Sequence, residues 1–204
     1  MAEEKSPTRI SLRHLATKSL RSGDKMKKQK KETGNVVLIG FMGCGKTTAG
    51  IRLSYRLRQV VLDTDKLIEQ RQGCSVREIF EKDGEAAFRE METDLLRELS
   101  ETMQGKILAV GGGTPMLEVN RQLLKKIGTV IYLRVRPETV YERLRKDTAR
   151  PLLCCEDPLT RIRELMEQRK ERYEAAADII IDVDGLTLGE VVDYIVYAME
   201  KMER

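Results

Sequence analysis

Val36-Val37-Leu38-Ile39 followed by Gly40-Phe41-Met42-Gly43-Cys44-Gly45-Lys46-Thr47 is the stretch from which the rest of the chain can be read. An apolar run of strand length ends in a segment that fits G-x-x-x-x-G-K-[ST] at every fixed position and leads directly into a helical pattern. The glycines allow a loop whose backbone N–H groups turn inward onto phosphate oxygens, and the following helix aims its positive end at the same point. Lys46 can then reach the β- and γ-phosphates. Thr47 offers a hydroxyl to Mg²⁺, a hard cation that takes oxygen ligands and fills its octahedron with water and phosphate. The alternative is a glycine-rich turn that only joins strand to helix. The agreement of every fixed position with both flanking elements disfavours it.

Outward from this loop, short β-branched runs alternate with helical periodicity. The pattern predicts an α/β domain, a five-stranded parallel sheet flanked by helices on both faces. The strands are read at 36–39, 60–62, 107–110, 130–133 and 179–181. Helices are read near 46–57, 64–71, 75–99 with a break around Asp83-Gly84, 117–126, 137–146, 158–176 and 187–202. In the last of these Leu188, Val191, Ile195 and Met199 share one stripe. No internal repeat is present.

Composition narrows the class. A chain of 204 residues, 41% apolar and 34% charged, can bury about 70% of its extended-chain surface as one domain and needs no disulfide staples. No apolar run reaches the length of a membrane span. Met1-Ala2-Glu3-Glu4-Lys5 lacks a secretory pattern, so a cytoplasmic location is expected. The cysteines at 44, 74, 154 and 155 show no paired metal spacing, and reduced thiols are expected. His14 is the single histidine, which leaves acid–base chemistry in the core to carboxylates. Residues 1–34 carry ten Lys/Arg against four Asp/Glu, whereas residues 35–204 carry 27 against 29. The positive balance therefore belongs to the leader. Its block Lys25-Met26-Lys27-Lys28-Gln29-Lys30-Lys31 repels itself, and residues 1–34 are expected to be a disordered, solvated leader or an over-long start ahead of Met26. A nucleic-acid arm and an organelle-targeting peptide are the other readings.

In a parallel sheet, ligands sit beyond the carboxyl ends of the strands, so the residues there are the candidates for chemistry. Asp63-Thr64-Asp65 follows the second strand. One acid of the pair can serve the metal while the other aligns an attacking hydroxyl and takes its proton. A helix N-cap is the structural use of the same residues. Gly111-Gly112-Gly113-Thr114-Pro115 follows the third strand, where glycines let backbone approach a small molecule closely.

These stretches, with Ile79 to Glu92 around Arg89, Arg150-Pro151-Leu152-Leu153 and Arg169-Lys170-Glu171-Arg172-Tyr173, together resemble the shikimate kinase family over roughly residues 35–200. Phosphate loops are widespread, but this ordered set is specific. The resemblance implies a fold like the P-loop nucleoside monophosphate kinases with a mobile lid, and transfer of the ATP γ-phosphoryl to the 3-hydroxyl of shikimate in aromatic amino acid (chorismate) biosynthesis. It implies ATP and Mg²⁺ as cofactors. Gly43, Cys44, Gly45, Lys46, Thr47 and Thr48 would hold the nucleotide phosphates, and Thr47 with Asp63 the metal, largely through water. Asp65 would bind the acceptor hydroxyl and act as base, with Lys46 and Arg150 as the other catalytic groups. Arg89 and Arg169 would grip the shikimate carboxylate, Gly111, Gly112 and Gly113 would line the ring, and Arg143 would stack on adenine while Arg150 closes from a lid spanning Asp147 to Thr160. Two guanidinium forks from separate helices suit a carboxylate better than lysines.

The 34-residue leader, Cys154-Cys155 and Arg172 go beyond or depart from the family pattern. Gluconate kinase and nucleoside monophosphate kinase share the loop and general fold. Arg89 with Arg169 argues against a nucleobase pocket, and Asp63-Thr64-Asp65 with the triple glycine favours shikimate. A binding module docking on nucleic acid through the basic leader is the reading from another class. A monomer acting on a small molecule, with no membrane or nucleic-acid partner, is expected.

Overall fold

The computed structural model describes residues 8–9, 34–145 and 155–202. Strands β1 (Thr8–Arg9), β2 (Val36–Ile39), β3 (Val60–Asp63), β4 (Lys106–Ala109), β5 (Thr129–Arg134) and β6 (Ile179–Asp182) form one sheet in the order β1-β6-β5-β2-β4-β3. Every pairing is parallel, with Val37 of β2 in register with Leu108 on one side and Val130 on the other. Helices α1 (Lys46–Leu57), α2 (Thr64–Gln72), α3 (Val76–Thr102), α4 (Glu118–Ile127), α5 (Pro137–Leu144), α6 (Pro158–Ala176) and α7 (Leu188–Met202) connect and cover the strands. A short 3-10 turn, Thr114–Met116, precedes α4.

The unbroken apolar runs have a direct cause. All four residues of β2 are fully buried, because a central parallel strand meets helices on both faces and has no solvent side. The five strands of the sequence reading are all present, and β2 sits between β4 and β5. The chain runs from β2 to β3 on one side of the sheet and then from β4 across β2 to β5 on the other, and this reversal opens a crevice beyond Ile39 where the Gly40–Lys46 loop lies.

One feature differs from expectation. The leader supplies β1, a sixth strand whose Thr8 and Arg9 pair with Ile179 and Ile180. Reading the whole leader as disordered overlooked it, because a two-residue edge pairing uses only backbone donors and acceptors of β6 and leaves no periodicity in the sequence. Arg150 and the other lid-motif residues through Leu153, together with Cys154, lie outside the described residues.

The expected break in α3 is present. Gly84 adopts φ 83°, ψ 171° inside the helical run and re-aims its second half, so that Phe88 and Glu92 turn into the core. Ser75 caps the start of α3 in a reciprocal pair with Glu78.

Candidate active site

The phosphate loop is shaped by close approaches as much as by its turns. A Cβ at Gly40 would lie 2.7 Å from both Cys44 Sγ and the Leu133 carbonyl oxygen, so no larger residue fits. Cys44 is buried there as filler. Gly45, left-handed at φ 99°, begins α1 with no side-chain cap, whereas α2 and α6 are capped by Asp63 and Asp157. The first N–H groups of α1 are thus left to a ligand. Lys46 Nζ folds over the loop, donating to the carbonyls of Gly40 at 2.8 Å and Phe41 at 3.2 Å.

Asp63 performs two tasks. Its Oδ1 accepts from the backbone N–H groups of Asp65 and Lys66 and so caps α2, while its Oδ2 accepts from the Thr47 hydroxyl at 3.1 Å. Among the described residues no group of three His, Cys, Asp or Glu forms a protein-only metal cage. A hydroxyl and a carboxylate held together beside the loop fit Mg²⁺ that draws its other ligands from water and phosphate.

Asp65, two residues on, faces inward. Its Oδ1 is buried without a hydrogen-bond partner among the described residues, and its pKa is pushed up from 3.8 to about 6. Burial is the main cause. The negative charges of Asp63 and Glu92 add to it, and Lys46 opposes it. A carboxylate with one open oxygen and a pKa just below neutrality is suited to accept a proton from a hydroxyl.

The triple glycine is packed between these carboxylates and Arg89. A Cβ at Gly111 would lie 2.7 Å from Asp65 Oδ1 and 2.8 Å from Glu92 Oε1, and one at Gly113 would lie 2.3 Å from Arg89 Nη2. Arg89 donates through Nη1 to Glu92 Oε2 at 2.5 Å and through Nη2 to Glu85 Oε1 at 2.9 Å. Glu92 is fully buried and also accepts from the Thr114 hydroxyl. On the other side Arg169 lies over the Phe41 ring, 5.7 Å to its centroid. Asp65, Arg89 and the glycines are therefore brought together, with Arg169 approaching from α6 beside the loop.

A cleft of about 520 Å³ runs from Asp65 and Gly111 past the loop residues Gly43 to Thr48 to Arg143. Arg143 donates to the Gly43 carbonyl at 2.9 Å. Val183, Leu186 and Leu188, from the β6–α7 connection, give this end of the cleft an apolar wall. Sequence reasoning missed that wall, since it is remote in the chain and carries no motif. It also missed Glu92, whose only signal was its i, i+3 spacing from Arg89.

A family model described as shikimate kinase matches residues 42–200. The shikimate kinase of Caldanaerobacter subterraneus subsp. tengcongensis is 43% identical over 169 residues, which is 83% of this chain and 98% of that protein. That of Nitrosospira multiformis is 45% identical over 150 residues, 74% of this chain and 76% of that protein. Among solved structures, shikimate kinase from Acinetobacter baumannii in complex with shikimate superposes with a TM-score of 0.78 at 36% identity, covering 82% of this chain and 93% of that one. The Aquifex aeolicus enzyme superposes with a TM-score of 0.70 at 33% identity, covering 83% and 98%.

Proposed function

The chain belongs to the shikimate kinase family, and we propose that it transfers the γ-phosphoryl group of MgATP to the 3-hydroxyl of shikimate, giving shikimate 3-phosphate and ADP in aromatic amino acid biosynthesis. The observation that carries this reading is the placement of Asp65 against Gly111, in the phosphate-loop cleft, and of Arg89 against Gly113 two residues on. A shikimate-bound relative of the same fold supports it.

Arg89 and Arg169 hold the acceptor's carboxylate, and Gly111, Gly112 and Gly113 let its ring lie against backbone. Asp65 accepts the proton of the 3-hydroxyl as that oxygen bonds to the γ-phosphorus and the bridge to the β-phosphate breaks, releasing ADP. Lys46 exchanges its loop carbonyls for phosphate oxygens, and the bare N-terminus of α1 adds backbone donors. Thr47 and Asp63 would hold Mg²⁺, the Asp largely through water. When bound, the metal neutralises charge on the phosphates. Gly43, Cys44, Gly45 and Thr48 complete the phosphate cradle, and Arg143 meets the adenine against the apolar wall. Arg150 closes over the phosphates from the lid and excludes water.

Every group in this scheme comes from one chain, which fits a monomer. No helix among the described residues is long and apolar enough to cross a membrane, in keeping with a cytoplasmic enzyme. Residues 1–34 supply no group to this scheme, Thr8 and Arg9 only pairing with the edge of the sheet at β6. The test is a coupled ADP-release assay with MgATP, offering shikimate, gluconate, CMP and AMP separately against a blank without acceptor. Turnover with shikimate alone is expected. Turnover with another acceptor would reassign Arg89 and Arg169, and silence with all four would leave a nucleotide-dependent binding module.

A further inference from the structure

Tyr173 has no part in the scheme above, although it touches both of the elements that face the acceptor. It lies one helical turn after Arg169 on α6 and is only 1% exposed. Its ring stacks on Tyr132 of β5, with centroids 5.0 Å apart and planes 19° from parallel. Its hydroxyl donates to the Gly112 carbonyl oxygen at 2.5 Å.

A buried phenol needs an acceptor, and a helix carbonyl could have served. The carbonyl used instead belongs to the peptide between Gly112 and Gly113. In a trans peptide the C=O and N–H point in opposite directions, so seating Gly112 O against α6 turns the Gly113 N–H away from α6. Neither the Gly112 nor the Gly113 N–H donates to a protein acceptor among the described residues. The neighbouring peptides have other ties, the Gly111 N–H donating to the Thr64 hydroxyl oxygen and the Gly111 and Gly113 carbonyls accepting from the N–H groups of Thr114 and Met116, whereas the Gly112–Gly113 peptide, with no side chain to limit its rotation, is held by Tyr173.

We infer that Tyr173 is a positioning residue for the acceptor: its hydroxyl fixes the Gly112–Gly113 peptide to the helix that carries Arg169, so that the glycine loop and the arginine meet the substrate as one preformed surface. The inference rests on the reading that residues 111–113 and Arg169 face shikimate. Burial pushes the hydroxyl's pKa up, so it remains a donor across the working range of the enzyme. Removing the tie leaves the Gly112–Gly113 peptide to be oriented at each binding event, which raises the acceptor's KM while the nucleotide side is untouched.

Tyr173→Phe keeps the stacked ring and deletes only the hydroxyl, and Tyr132→Phe is the matching control in the partner ring. For Tyr173→Phe the KM for shikimate is expected to rise about tenfold while the KM for MgATP is unchanged. Tyr132→Phe is expected to leave both unchanged. A Tyr173→Phe enzyme with a lower melting temperature but unaltered KM values, or with both KM values raised together, would show a purely structural tyrosine and overturn the inference. Wild-type protein that fails to turn over shikimate would overturn the functional reading and this inference with it, an outcome distinct from an active wild type with an unaffected variant.

Discussion

The Asp65 carboxyl is held in tension between catalysis and stability. Because its folded pKa of about 6 exceeds its ordinary value of 3.8, the folded state binds more protons than the unfolded state between those values. Stability from this group is full below pH 4 and is lost as pH rises through 6. Asp65→Asn is therefore expected to stabilise the ligand-free protein by roughly 1–3 kcal/mol above pH 7, a gain that disappears near pH 4; thermal unfolding at the two pH values checks it. The same substitution should lower kcat by about 10²- to 10⁴-fold with ATP binding retained, and kcat/KM of the wild type should rise with pH to a plateau above about 6. Gly113→Ala forces Arg89 aside and is expected to raise the KM for shikimate about tenfold or more without changing that for ATP. Arg89→Ala is a harsher test than it looks. It strands Glu92 as a buried, unpaired carboxylate, at a cost of about 3–5 kcal/mol. Arg89→Lys keeps a cation beside Glu92 and isolates the loss of the planar fork, visible as a shikimate-specific rise in KM.

Two elements act through their ends and breaks. α1 begins without a side-chain cap, and that omission is what leaves its amides to phosphate. α3 depends on Gly84, which combines φ 83° with ψ 171° and has nothing within 4 Å of where a Cβ would stand. The constraint is thus backbone strain alone. Gly84→Ala is expected to cost about 1–3 kcal/mol in urea denaturation. It should also weaken shikimate more than ATP, because the break orients the half of α3 that carries Arg89.

At the scale of the molecule, the leader and the catalytic domain are separable in charge. Deleting the residues before Met26 removes β1, which contributes two register pairs at the sheet edge, and six Lys/Arg against three Asp/Glu, half of the leader's surplus of cations. No group assigned to chemistry lies there. kcat and both KM values are expected to be unchanged in the enzyme that begins at Met26, and any affinity for DNA or RNA should be lost when all of residues 1–34, with the basic block before Glu32, are removed. A large fall in turnover would give the leader a catalytic role that its position at the β6 edge does not suggest.

Local rules of backbone preference and spacing determine part of this protein. The loop Gly40–Thr47, the alternation of apolar runs with helical stripes, the break at Gly84 and the Asp63/Asp65 pair could all be read, because each is written in contiguous residues whose backbone preferences and spacing carry the meaning. Strand order could not be read this way, nor could the pairing of Thr8 and Arg9 with β6. Register across a parallel sheet is set by packing over long separations. Glu92 beneath Arg89, the apolar wall of Val183 and Leu186, and the Tyr173 tie to Gly112 likewise depended on the fold. An acid three residues from an arginine, or a tyrosine on a helix, has the same spacing whether it faces solvent or the site, and only tertiary packing buries one against the other.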